Sequence, residues 1–110
     1  MTCMDNALSQ SEFYILLSLA IKSRHGYEIM KQVEHDSGGK MIMGPGTLYG
    51  SIKRMLQAGL IEEVPGDNAR RKYYTITDKG RKSLTSELQR YNDAVQLARQ
   101  KDLFEGLGPA

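Results

Sequence analysis

The stretch that decides the fold, GPGTLYGSIKRMLQAG, occupies residues 44–59 and predicts a helix. Pro45 suits the first helical position because proline has no N–H to leave unpaired there, and Gly59 suits the left-handed residue that ends a helix. Four apolar residues share the side that would face a core: Leu48, Ile52, Met55 and Leu56. The opposite side is small, polar and basic and carries no acidic residue: Thr47, Gly50, Lys53, Arg54 and Gln57.

A β-hairpin is predicted directly after this helix. Residues 60–65 and 70–77 have strand composition, and the sequence GDNA between them is typical of a turn. Tyr73 and Tyr74 are interpreted as sheet packing. Three consecutive basic residues leave the turn, and at least two of them should reach a phosphate backbone: Arg70, Arg71 and Lys72.

The charge of the chain is concentrated around this helix and hairpin. The net charge of the 110 residues is only +2, but residues 40–82 contain nine basic and four acidic side chains. A basic region of this kind is the electrostatic pattern expected of a surface that binds phosphates.

Two helices are predicted before this region and one long helix after it. Residues 11–22 are apolar almost all round, so this helix should be covered both by its own core and by a second subunit. Residues 27–36 form the second helix, and residues 78–101 form the last. The last helix carries apolar residues spaced 4, 3, 4 and 3 apart, a heptad seam that predicts pairing of two chains: Leu84, Leu88, Tyr91, Val95 and Ala98. The first helix adds three candidate dimer contacts: Phe13, Leu16 and Leu17.

The order of these elements predicts a mainly α fold with a small β-hairpin, a winged helix-turn-helix followed by a long C-terminal dimerisation helix. We expect one domain over residues 1–110, with the winged helix-turn-helix in 10–77 and the dimerisation helix in 78–103. The third helix of such a fold enters the major groove of double-stranded DNA. A homodimer would place two of these helices about one DNA turn, roughly 34 Å, apart on a palindrome. The alternative is a winged helix that binds a protein or a small ligand without DNA, because fold does not fix function.

Several other function classes are disfavoured. Cys3 is the one cysteine, so no disulfide or Cys-based metal site is expected, and His25 and His35 have no third ligand at a useful spacing. No nucleophile–base pair or phosphate loop is present, so we expect neither an enzyme nor a cofactor. No apolar run approaches the ~20 residues that span a bilayer, and the first residues lack a signal-peptide pattern. A cytoplasmic protein is therefore expected.

Four motifs resemble the PadR-like transcriptional regulators and cover about residues 10–85. They are HGYEI at 25–29, PGTLY at 45–49, GLI at 59–61 and RKYYTIT at 71–77, followed by Gly80. The resemblance implies a homodimeric winged-helix DNA-binding regulator, usually a repressor, whose small-molecule effectors vary among members. The single long last helix is similar to that of the short-tail subgroup.

The resemblance also implies which residues lie on the DNA side, namely Tyr27, the segment 45–49 and the basic wing. Together with the outer face of the third helix, these make up the candidate DNA-binding residues: Tyr27, Pro45, Gly46, Thr47, Tyr49, Gly50, Lys53, Arg54, Arg70, Arg71 and Lys72. For Tyr27 and Tyr49, packing within the chain remains an alternative to a phosphate contact, and Thr47 could contact either a phosphate or a base methyl group. An effector cavity between subunits would be lined by Phe13, Leu16 and Tyr91.

The chain departs from the family pattern at three places. Gly44 stands where a Ser or Thr helix cap is common, so the third helix should start more loosely. Gly50 stands where Pro is usual, and it either allows close backbone approach or removes a contact. The residues Asp67, Asn68 and Ala69 replace a Gly/Arg/Pro-type wing tip, which weakens the expectation that the wing reads the minor groove.

Overall fold

The computed structural model describes residues 7–103, so Cys3 lies outside the described residues. Seven elements follow one another: α1 (Gln10–Ile21), β1 (Arg24–His25), α2 (Gly26–Asp36), α3 (Pro45–Ala58), β2 (Ile61–Val64), β3 (Tyr73–Ile76) and α4 (Asp78–Gln100). This is the predicted mainly helical winged helix-turn-helix with one long last helix. None of the helices within residues 7–103 is both long enough and apolar enough to cross a membrane.

The core lies where α1, α2 and α3 meet the inner side of the sheet. α1 is its central element and touches α2, α3, α4 and β3, which explains why its sequence is apolar on most sides. Seven core side chains are almost completely buried: Ile15, Leu16, Leu19, Ile29, Val33, Leu48 and Met55. On α3, burial of Leu48, Ile52 and Met55 confirms three of the four residues predicted for the inner face, and the opposite face lies outside. The prediction was wrong for Leu56, which lies at the edge of the apolar stripe and is 37% exposed.

The sheet has three strands in the order β1-β3-β2, and both pairings are antiparallel. The segment 24–26 between the first two predicted helices was interpreted from the sequence as a short turn, and this was wrong, because Arg24 and His25 form β1 and pair with Tyr74 and Tyr73. Two residues are too few to show the alternation that identifies a strand, and these two become a strand only because β3 offers them a free edge. This third strand joins the start of α2 to the base of the wing.

The second strand of the hairpin is shorter than predicted, since β3 begins at Tyr73 rather than at residue 70. Tyr73 pairs with Val64, the last residue of β2, so the chain before Tyr73 has no strand partner. Arg70, Arg71 and Lys72 therefore lie in the loop of the wing and not on a strand. Successive side chains on a strand point to opposite faces of the sheet, and this restriction does not apply to these three loop residues.

Thr77 ties the end of α3 to the start of α4. Its hydroxyl accepts a hydrogen bond from the Gly80 N–H at 3.0 Å, which caps α4, and donates one to the Gly59 carbonyl at 2.6 Å. Gly59 has φ of 77° and ends α3 in the predicted left-handed conformation. One side chain thus satisfies two helix ends at the point where the long helix leaves the winged helix.

Replacing Thr77 with Ala is expected to lower the free energy of unfolding by about 1–2 kcal/mol, because the α4 cap and the bond to Gly59 are both lost. Urea denaturation followed by circular dichroism measures this change. Thr77→Ser keeps the hydroxyl and is the matched control, for which we expect less than half of the loss. Equal midpoints for the Ala and Ser variants would contradict the role of the hydroxyl.

Candidate nucleic-acid interface

The outer face of α3 is open and its first turn is uncapped. Thr47, Lys53 and Gln57 are exposed, as predicted from the helical spacing. Gly44 precedes Pro45 and supplies no side-chain hydrogen bond, so the N–H groups of Gly46 and Thr47 have no capping side chain. Uncapped N–H groups at the positive end of a helix can bind a phosphate oxygen. The departure at Gly44 thus leaves donors available at the end of α3 that faces outward.

Gly50 also lies on this face. A Cβ at Gly50 would meet only the Arg54 Nη1 atom, at an ordinary contact distance of 3.7 Å. Packing within the described part of the chain therefore does not require glycine there. The small residue leaves the α3 backbone accessible to a ligand.

Arg54 is shared between the outer face of α3 and the start of α1. Its Nη2 donates to the Ser51 Oγ at 3.1 Å, and its Nε lies 3.9 Å from the Glu12 Oε2. Glu12 also accepts a hydrogen bond from the Ser9 N–H as part of the capping box of α1. The prediction of a face without carboxylates concerned α3 itself and holds there, whereas α1, which the prediction did not consider, brings Glu12 beside Arg54. The pattern Ser-x-x-Glu at residues 9–12 is the sequence signature of a capping box and could have indicated where Glu12 lies.

Tyr49 packs on the start of α2 and is still about half exposed, at 49%. Its hydroxyl and ring lie so close to Gly26 that a Cβ there would overlap them. Tyr27, on the first turn of α2, is 60% exposed and has the Lys31 Nζ 5.7 Å from its ring centroid. Tyr49 therefore packs against Gly26 and still remains accessible to solvent, and its contact with a phosphate stays a prediction.

The loop of the wing is folded by its own polar residues. The Tyr73 hydroxyl donates to the Asp67 Oδ1 at 2.6 Å, and the Asn68 Oδ1 accepts from the Arg70 N–H at 2.9 Å. The hydrogen bond from Tyr73 holds the pKa of the Asp67 carboxyl below its usual range, and the nearby Arg71 acts in the same direction. The residues that replace a Gly/Arg/Pro-type tip therefore shape the loop that presents Arg70, Arg71 and Lys72 to solvent.

These parts meet around an open cleft of about 390 Å³. It lies between the wing, the start of α2 and the first turns of α3, and its lining is basic and rich in hydroxyl groups: His25, Gly26, Tyr27, Tyr49, Arg70, Arg71, Lys72 and Tyr74. Tyr74 is 4% exposed, and burial raises the pKa of its hydroxyl, in agreement with a packing role. The arrangement offers cationic and neutral hydrogen-bond donors on one surface, which suits phosphate groups.

A comparison of the sequence with protein families matches residues 15–86 to the transcriptional regulator PadR-like family. The chain belongs to the PadR-like family. An uncharacterised protein of Lysinibacillus sphaericus is 32% identical over 98 residues, which are 84% of this chain and 87% of that protein. The family consists of transcription regulators, which supports the interpretation that this PadR-like chain is not an enzyme.

Solved structures of PadR-like proteins share its fold. A PadR family transcription regulator of Clostridium difficile superimposes with a TM-score of 0.70 at 28% identity, covering 84% of this chain and 97% of that one. A PadR-like transcriptional regulator of Bacillus cereus has a TM-score of 0.70 at 26% identity, covering 86% and 91%. The winged-helix DNA-binding fold predicted from the sequence is thus confirmed.

The candidate dimer residues of this PadR-like regulator fall into two groups. Leu16 and Leu84 are buried in the chain's own core, at 0% and 6% exposed, so neither offers surface to a second subunit. This corrects the expectation for these two residues, because sequence periodicity does not distinguish a side chain that faces its own core from one that faces a partner. Phe13 is also buried, at 8%.

The second group is accessible. Leu88 and Tyr91 are each 42% exposed on α4, and Leu17, Val95 and Ala98 are half-buried. The Tyr91 ring meets Phe13 edge-on at 5.1 Å, and its hydroxyl donates to the Glu87 Oε2 at 3.0 Å. Burial raises the pKa of Tyr91, and the bond to Glu87 adds to the effect.

Proposed function

We propose that this PadR-like regulator is a sequence-specific repressor that binds a palindromic operator as a homodimer and is released by a small-molecule effector. Residues 10–77 would contact DNA, and residues 78–103 would pair the subunits. The observation that carries the proposal is the cleft between α2, α3 and the wing, because it brings three exposed cations together with the accessible side chains of Tyr27 and Tyr49 on one surface.

The division of labour on DNA follows from the geometry of this surface. α3 has the open N-terminus and the exposed polar face that a helix needs in the major groove, which is about 12 Å wide. Lys53 and Arg54 are its cations, and both side chains are exposed. The wing residues and the hydroxyls of Tyr27 and Tyr49 would contact phosphates on either side and fix the register of α3.

Pairing of two chains is supported by the apolar surface that α4 leaves uncovered. Leu88 and Tyr91 are exposed one turn apart on the heptad seam, and Leu17 on α1 is half-buried. A 110-residue chain buries a modest share of its surface alone, so a partner would add considerably to its stability. An effector would enter between the paired subunits, where Phe13 meets Tyr91; Leu16 is excluded from that lining because it is fully buried.

Selection of bound duplexes from a random pool tests the proposal. We expect enrichment of an inverted repeat whose half-site centres lie about one helical turn apart. Compounds that release the selected duplex would then be sought by fluorescence anisotropy. If no sequence is enriched and the protein shows no salt-sensitive retention on heparin, the results would instead support a winged helix that binds a protein or a ligand without DNA.

Replacing Arg54 with Ala is expected to weaken binding to the selected operator by about 1–3 kcal/mol, the usual contribution of an arginine that contacts a base. Binding to random duplex should change much less. Gln57→Ala, on the same face of α3 but without a charge, is the control. Unchanged operator affinity at fixed salt would show that Arg54 serves the contact with Glu12 and Ser51 instead.

A further inference from the structure

We infer that His25 is a positioning residue for the wing, and that it holds the Arg71 guanidinium at the wall of the cleft. The inference rests on the proposed function, because it concerns how the DNA-binding surface is organised before DNA arrives. From the sequence, His25 was considered as a metal ligand and as the first residue of the HGYEI motif, and neither pattern gave a reason to connect it with Arg71.

The contact joins two parts of the chain that are 46 residues apart. The His25 Nε2 and the Arg71 Nη1 are 3.0 Å apart, and the imidazole is 8% exposed. The Tyr73 ring lies edge-on against the imidazole, with centroids 5.3 Å apart and planes at 87°. His25 and Tyr73 are also register partners in the β1–β3 pairing. The imidazole is therefore fixed by the sheet, and the Arg71 side chain is the flexible partner that gains order.

The chemistry of the two groups determines the direction of the hydrogen bond. A guanidinium has five N–H donors and no acceptor, so Nε2 of His25 must accept from Arg71. In a neutral imidazole this places the proton on Nδ1. The Tyr73 hydroxyl also interacts with Arg71, and a guanidinium with five N–H groups still has donors left for a phosphate oxygen, so the bond to His25 orients the planar group without consuming it.

The His25 ring could also cap the start of α2, but a proton on Nδ1 weakens that cap. Nδ1 of His25 lies 3.4 Å from the Glu28 N–H, where it would cap α2 only if it were unprotonated. A neutral imidazole cannot accept at both nitrogens, so the Arg71 contact and the side-chain cap compete. Of the two distances, the one to Arg71 is shorter by 0.4 Å. The other half of the capping box, from the His25 N–H to the Glu28 Oε1 at 3.1 Å, does not depend on the tautomer.

Two carboxylates lie near this contact. Glu28 of α2 places its Oε1 3.5 Å from Nε2, and Asp67 in the wing accepts a hydrogen bond from the hydroxyl of Tyr73, whose ring packs beside the imidazole. The two carboxylates offset the charge of Arg71 beside the ring. Held at the cleft, Arg71 loses less side-chain freedom on binding DNA, and this preorganisation increases affinity for every sequence.

The test is a double-mutant cycle on binding to random duplex at fixed salt, with His25→Asn, Arg71→Ala and the combination. Asn caps helices well but is too short to reach Arg71, so it separates the wing contact from the start of α2. We expect His25→Asn to weaken binding by about 3- to 10-fold and to have almost no further effect in the Arg71→Ala background. The control cycle pairs His25→Asn with Lys72→Ala, where the two effects should add. Equal additivity in both cycles would overturn the inference.

A second measurement does not depend on DNA. The imidazole ¹⁵N shifts of the free protein should show Nδ1 protonated and Nε2 unprotonated, and Arg71→Ala should shift the ring toward the other tautomer. Shifts that are unchanged by Arg71→Ala would overturn the inference even where His25→Asn folds poorly. If the wild-type protein binds no duplex, the proposed function fails while the tautomer result still decides the role of His25.

Discussion

Replacing Leu88 with Asp is expected to yield a folded monomer that no longer binds an operator tightly. Leu88 is 42% exposed on α4 in the single chain, so the change should cost the isolated fold little. In a dimer the same position would be covered, and an unpaired carboxylate buried there is strongly unfavourable. Because one α3 would then bind without its twin, operator affinity should fall by about 10²- to 10⁴-fold.

Sedimentation velocity at micromolar concentration measures the first part of this result, and operator binding at fixed salt measures the second. Ser86→Asp is the matched control, because it adds the same charge to an exposed position of α4 on the side away from the seam. We expect it to remain dimeric with wild-type affinity. A wild-type protein that sediments as a monomer, or a Leu88→Asp dimer, would contradict the proposed pairing.

The second large effect is expected from the wing. Replacing Arg70, Arg71 and Lys72 together with Ala should weaken binding to all duplex sequences, because these residues would displace counterions from phosphates. If two of the three reach a phosphate in each subunit, the slope of log affinity against log salt should become shallower by about 4. The loss of affinity at 0.15 M salt should then be roughly 10- to 100-fold.

The control for the wing removes three exposed lysines outside the cleft: Lys22, Lys82 and Lys101. Net charge falls by the same amount in both triple variants, so a difference between them measures position rather than total charge. Titrations at four or more salt concentrations give both slopes. An unchanged slope in the wing variant would exclude the wing as a phosphate anchor.

Local signals predicted most of the fold. Pro45 and Gly59 delimited α3, because helix ends are chosen by residues within one turn, and the predicted start of α4 at residue 78 follows the Thr77 cap. β1 was missed and β3 was predicted too long, because a strand's limits depend on a partner elsewhere in the chain. For the candidate interface, the sequence predicted which face of α3 points outward, since helical periodicity identifies an outer face, but not which side chains contact one another.

By itself, the sequence determined the order of the four helices and the hairpin, the outward basic side of α3 and the similarity to PadR-like regulators, because each depends on residues close together along the chain. Only the tertiary structure decided which carboxylate lies beside Arg54, which ring holds Arg71, and which seam residues the chain keeps for its own core. The first two contacts connect residues that are 40 or more positions apart, and the apolar seam of α4 is divided between the chain's own core and its exposed surface. Periodicity reports that a side chain is covered, whereas only packing in three dimensions determines what covers it.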